Sequence, residues 1–108
     1  MTIEIPFQDF KKFILFEIAH IKRFNCPDFF SIGFLKSEKP EMSGELKEVI
    51  MEALRETDVI STYDNTIFVI LPGTDTEGAQ FISRAIYDFL MERLLEVYAE
   101  YPDEGKKY

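Results

Sequence analysis

The stretch Asp58–Leu71, DVISTYDNTIFVIL, constrains the fold of this chain more than any other. Two runs rich in β-branched and aromatic residues flank Asp64-Asn65, a pair that can take positive φ at both central positions of a two-residue hairpin turn. With that turn Tyr63 faces Thr66, Thr62 faces Ile67, Ser61 faces Phe68, Ile60 faces Val69 and Val59 faces Ile70. Opposed residues share a face of the sheet. One face therefore carries Val59, Phe68 and Ile70, and the other Ile60, Ile67 and Val69. Both are apolar, so both must be covered, and the hairpin is central to the fold.

The flanking segments supply the cover. Pro6–Phe24 reads as a helix with Pro6 suited to its first position. Phe7, Phe10, Ile14, Ile18 and Ile21 form a stripe at helical spacing, and Phe13, Leu15, Phe16 and Phe24 widen it beyond a single-sided arc. A helix so broadly apolar is either sandwiched within its own fold or paired with another chain. Asn25–Asp28 reads as a turn and Phe29–Leu35 as the first strand, where Gly33 implies a bulge or a close backbone approach. After the polar loop KSEKPEM, Ser43 is placed to cap a helix running to about Thr57, with Leu46, Val49, Ile50, Ala53 and Leu54 on one face. Pro72-Gly73 stops the hairpin. Thr74–Glu77 has the pattern of a capping box, and apolar residues at helical spacing from Ala79 to Val97 extend the last helix to near Tyr98.

The order helix, strand, helix, strand, strand, helix implies an α+β sandwich, a truncated ferredoxin-like or nucleotidyl-cyclase-type core of about three strands with three helices. At 108 residues the chain is one domain, expected over residues 1–101, with a loose charged tail at 102–108. With 46% hydrophobic and 30% charged residues it is globular. No apolar run reaches the roughly 20 residues that span a bilayer, and no signal peptide is visible, so membrane insertion is not expected. The single Cys26 cannot form an intrachain disulfide, which fits a reducing cytoplasm. A net charge of −8 repels nucleic acid and anionic lipid, which excludes nucleic acid as a partner.

Arg55-Glu56-Thr57-Asp58, then Val59–Tyr63, a turn, and Phe68-Val69-Ile70-Leu71-Pro72 together resemble the centre of a GGDEF domain, the diguanylate cyclase fold of bacterial signalling. The resemblance covers most of the chain from about Phe10 to Leu90 and is strongest over Arg55–Ala79. It implies a regulatory domain in a bacterial cytoplasm. The family continues past the last helix with a further strand, so the Phe29–Leu35 strand is expected to be an open edge here.

Diguanylate cyclases hold two divalent metals against a triphosphate with carboxylates, because phosphoryl transfer rests on positioning and charge neutralisation. By the resemblance, one acid belongs at the end of the first strand, where this chain has Leu35-Lys36. The acidic pair of the signature turn falls on Thr66 and Ile67, and its glycines on Asp64 and Asn65. The resemblance therefore implies the fold without the activity: a degenerate, non-enzymatic domain, without metal or cofactor.

Arg55 and Asp58 match the family's RxxD motif, which binds the product cyclic di-GMP at an inhibitory site. The chemistry suits it, since an Arg fork meets guanine or phosphate in two bonds and a carboxylate accepts from guanine N–H groups. A plainer reading stands beside it. Arg55 near a helix C-terminus favours the helix dipole, and Asp58 serves as a turn residue between helix and strand. His20 has no partner at metal spacing, Cys26 has no basic neighbour in its own turn, and Tyr63 suits strand packing. The expected role is regulation through a homodimer or another protein chain, with cyclic di-GMP as the ligand implied for Arg55 and Asp58. The alternative is a dimerisation or scaffold module with no small ligand. The broad N-terminal helix and the Phe29–Leu35 edge are the expected dimer surfaces.

Overall fold

Asp64 and Asn65 take φ of 50° and 59°, the left-handed conformation that a two-residue hairpin turn requires. The strands they join, β3 (Val59–Tyr63) and β4 (Thr66–Pro72), pair in the register read from the sequence, from Tyr63 opposite Thr66 to Val59 opposite Ile70. The computed structural model describes residues 2–25, 29–90 and 94–102. Within them the other strands are β1 (Ile3–Glu4), β2 (Phe30–Ser37) and β5 (Leu94–Tyr101). The helices are α1 (Phe10–Phe24), α2 (Ser43–Ala53) and α3 (Phe81–Leu90). The sheet order is β1-β3-β4-β2-β5, with β1 parallel to β3 and every other neighbour antiparallel.

The α+β class and its three helices hold, and the sheet is wider than expected at both sides. β1 has only two residues, too few to show a period. The last helix ends at Leu90 rather than near Tyr98, and Leu94–Tyr101 returns as a strand along β2. The segment supports both periods. Leu94 and Val97 continue the helical stripe, but Leu95, Val97, Ala99 and Tyr101 also alternate strictly with Glu96, Tyr98 and Glu100. The unsatisfied N–H and C=O groups along β2 decide in favour of the strand. The Phe29–Leu35 region is consequently interior, between β4 and β5, and is neither an open edge nor a dimer surface.

Helix starts also shift. Phe7–Asp9 form a 3-10 turn before α1, and α2 begins at Ser43 itself, with Met42 in the cap position and Leu54 already extended beyond its end. Asn25 closes α1 at φ 57°, its N–H donating to the Ile21 carbonyl at 2.9 Å. The tail at 103–108, Cys26 and most of the Asn25–Asp28 turn lie outside the described residues.

The two faces of the hairpin build two cores. On one side Val59, Ile70 and Phe30 pack with Ile5 and with Phe10 and Ile21 of α1. On the other, Ile60, Ile67, Val69, Leu35 and Leu71 pack against Leu46, Ile50 and Leu54 from α2 and its end, and against Ala79 and Ile82. α2 and α3 therefore share one face and α1 has the other to itself. That arrangement leaves α1 only partly covered, with Leu15, Phe16 and Phe24 exposed. Gly33 marks a close approach, as its position implied. A Cβ there would stand 2.7 Å from the Tyr98 ring of β5 and 2.9 Å from Val69.

Candidate functional site

Arg55 and Asp58 lie at the open end of the hairpin, opposite its turn. After α2 the chain leaves Leu54 extended and closes a short turn in which the Asp58 N–H donates to the Arg55 carbonyl at 3.0 Å. The Asp58 side chain is fully buried and receives three bonds from Arg55: from its backbone N–H at 2.8 Å, from Nε at 3.2 Å and from Nη2 at 2.9 Å. Arg55 Nη2 also donates to the Pro72 carbonyl at 3.1 Å and to Thr74 Oγ1 at 2.5 Å. Buried Ser31 donates to the Thr74 carbonyl, and Thr2 Oγ1 donates to the Asp58 carbonyl at 2.6 Å. One polar cluster thus joins the starts of β2 and β3, the end of β4 and the residue before β1. Sequence alone pairs Arg55 with Asp58. It gives no local sign of Thr2, Ser31 or Thr74, which become neighbours only through strand pairing. Thr74 does not cap the last helix. Asp75 Oδ1 instead accepts from the Gly78 N–H at 2.6 Å, in the turn ahead of the 3-10 turn Gly78–Gln80 that leads into α3.

The outer half of Arg55 lines an open cleft of about 510 Å³ with Phe29, Ala53, Gly73, Thr74, Asp75, Gly78 and Phe81. A second hollow of about 340 Å³ adjoins it and is lined by Phe29, Asp75, Thr76, Glu77 and Glu100. The arrangement gives an anion one guanidinium and two aromatic walls, and sets three carboxylates close by. Glu100 is already engaged, accepting from the Thr76 N–H at 3.0 Å.

The turn end has a different character. A cleft of about 410 Å³ lies between the turn and α2, lined by Gly44, Lys47 and Thr62–Ile67. Leu35 and Ile67 stand opposite each other in the β2–β4 ladder, both buried, on the face covered by α2. Lys36 and Thr66 pair on the other face. Lys47 Nζ is held by Glu4 at 2.7 Å. Asp64 is the one carboxylate lining this cleft, and the described residues contain no cluster of three or more His, Cys, Asp or Glu able to hold a metal.

The remaining candidates are built into packing. His20 stacks on Phe16 with ring centres 6.0 Å apart and meets Phe24 at a tilt, 4.9 Å away. Burial pushes the Glu17 carboxyl up, and His20 pulls it partly back. Tyr63 is exposed and stacks on Phe7 at 4.8 Å. Tyr98 is raised to about 12, first by burial. Ser83 offsets part of the rise and Glu96 adds to it. The Ser83 hydroxyl gives its proton to the Glu96 carboxylate at 2.6 Å, so the Tyr98 hydroxyl beside it has no well-formed hydrogen bond among the described residues. Among the described residues no helix is long and apolar enough to cross a membrane.

No family model matches the sequence, and no curated protein does. Among solved structures, the fold is similar to that of a DGC protein from Thermotoga maritima, with a TM-score of 0.61 over 94% of this chain and 83% of that one. The two sequences are 16% identical, so the likeness is one of fold.

Proposed function

We propose that this chain is a non-catalytic regulatory domain on a diguanylate-cyclase-type fold, acting through contact with another protein chain, a second copy of itself included. The observation that carries the reading is the Leu35–Ile67 pair. A metal-dependent cyclase needs convergent carboxylates at the turn end of the hairpin, and the positions that the GGDEF resemblance assigns to them hold a buried apolar pair together with Lys36 and Thr66. A carboxylate introduced into that layer would need several hydrogen bonds to offset its desolvation. Incubation with GTP and Mg²⁺ or Mn²⁺ is expected to yield no cyclic di-GMP. Turnover that copurifies with the protein and disappears in Asp64→Ala would overturn the reading.

A second reading adds cyclic di-GMP as a ligand of Arg55 and Asp58. It is favoured by the half-exposed guanidinium in a cleft walled by Phe29 and Phe81, since a fork donor and aromatic faces suit a purine nucleotide. Asp58 would act through Arg55, because its own carboxylate is buried and occupied. Calorimetric titration decides it. Binding heat and a rise in Tm, both lost in Arg55→Lys, support the ligand. Their absence from the wild-type protein at saturating cyclic di-GMP removes the ligand and leaves the partner-binding reading in place.

A further inference from the structure

We propose that the outer edge of β5 is a homodimerisation surface on which two copies pair antiparallel about a two-fold axis at Val97, joining their sheets into one. The proposal rests on the reading of this chain as a module that works through contact with another chain, and it names the partner and the surface.

An edge strand offers a row of backbone donors and acceptors to any other strand, and proteins usually guard it by shortness, lysine, proline or a bulge. Among the described residues, the two edges of this sheet differ sharply in that respect. β1 is two residues long and carries Glu4, which is paired with Lys47. β5 runs for eight residues in unbroken register with β2, from Phe30 opposite Tyr101 to Ser37 opposite Leu94. It contains no lysine and no proline. On the face shared with α1 it leaves Leu95 and Val97 each 62% exposed beside the partly exposed Phe34. Its two acids are drawn in on the opposite face, Glu96 toward Ser83 and Glu100 toward the Thr76 N–H.

Charge selects the partner's register. Opposed residues must share a face, so a two-fold pairing that uses most of the strand is centred on Val97 or on Tyr98. Centring on Tyr98 sets Glu96 against Glu100 of the second copy twice over, in chains that already carry −8 each. Like charges directly opposed destabilise a sheet. Centring on Val97 places Glu96 opposite Tyr98, Leu95 opposite Ala99 and Val97 opposite its own copy. The exposed apolar residues of both copies then form one band, and no carboxylate opposes another. A second copy of the same strand meets both requirements, continuous backbone pairing and separated acids.

The test uses position-specific cross-linking of the full chain in a Cys26→Ser background. Opposed Cα atoms in an antiparallel pair lie about 4.5–5.5 Å apart, within the Cα span that a disulfide bridges. Val97→Cys is expected to form a covalent dimer under mild oxidation. Leu95→Cys and Ala99→Cys, each alone, are expected to stay monomeric on reducing-agent-free gels, while a mixture of the two cross-links. Light scattering of the unmodified protein should give about twice the 12.7 kDa chain mass. Val97→Lys, an exposed substitution, should raise the dimer Kd about ten-fold or more. A dimer that is unchanged in Val97→Lys and lost in Phe16→Glu would overturn the β5 edge and keep partner contact through α1. A wild-type protein that stays monomeric at high concentration would overturn the proposal, and with it the homodimeric form of the functional reading.

Discussion

The two ends of the β3–β4 hairpin are held by different physics. At the turn end the chain direction is set by two left-handed backbone conformations, and the residues beneath, Leu35 and Ile67, are apolar. At the open end a half-exposed guanidinium bonds a buried carboxylate and the Thr74 hydroxyl, and the hydroxyls of Thr2 and Ser31 tie the backbone carbonyls of Asp58 and Thr74 to elements far apart in sequence. The turn end is thus held by backbone conformation and apolar packing. The open end has charged groups whose bonds are committed to the fold. A charged motif that matches a known ligand site by spacing can therefore be, first of all, a clamp.

Breaking the open end should have the largest effect. Arg55→Ala leaves the buried Asp58 carboxylate with only its backbone donor, and an uncompensated buried charge costs about 3–5 kcal/mol. The exposure of the Arg55 side chain reduces this, and about 2–3 kcal/mol of unfolding free energy is expected in urea. Asp58→Ala should cost less, about 1–2 kcal/mol, because Arg55 can turn to water and keeps Pro72 and Thr74 as acceptors. A larger loss in Asp58→Ala than in Arg55→Ala would mean that desolvation does not govern the cluster.

Gly33→Ala strikes the sheet between the two ends. The added methyl meets the Tyr98 ring and Val69 at under 3 Å, and overpacking of that kind costs about 1–3 kcal/mol. Pairing it with Tyr98→Leu should recover part of the loss, as thermal unfolding would show.

At the turn end, Asn65→Ala is expected to cost about 1 kcal/mol, because a left-handed backbone is unfavourable for a residue with a Cβ and no local hydrogen bond. Asn65→Gly, which takes the left-handed backbone freely, should cost less than Asn65→Ala. If Asn65→Ala matched Arg55→Ala in cost, the contrast between the two ends would fail.

The smallest effect belongs to Tyr98. Its buried hydroxyl makes no well-formed hydrogen bond among the described residues, so Tyr98→Phe should change neutral-pH stability by less than about 0.5 kcal/mol. At high pH the sign is defined. The folded state holds the phenol proton up to about 12, against the ordinary 10 of the unfolded chain. Stability is therefore unaffected below pH 10 and falls between pH 10 and about 12, where only the unfolded state releases the proton. Tyr98→Phe should remove that component from the alkaline unfolding curve.

How much of this was legible in the sequence follows from the range of each interaction. The hairpin register, its turn and its two apolar faces are set by residues within a few positions of one another, and period-2 alternation with an Asx pair specifies them. The α2 stripe is legible for the same reason. Leu94–Tyr101 satisfies two periods at once, and its choice is made by the unpaired backbone of β2, about sixty residues away in the chain. At the open end, Arg55 and Asp58 are visible as a spaced pair. The cluster around them also takes in Thr2, Ser31 and Thr74, which no local pattern links to Arg55 or Asp58. The absence of acids at Leu35, Thr66 and Ile67 could be read directly, because it concerns identity at a position rather than contact.

The clamp is tested most directly by a double-mutant cycle of Arg55→Ala and Asp58→Ala, read by urea unfolding with cyclic di-GMP absent. If the two side chains hold the hairpin's open end together, the losses will be strongly non-additive, with a coupling of about 1–2 kcal/mol. A coupling near zero, with the two losses simply adding, would place the pair among surface ion pairs of no structural consequence and contradict the account.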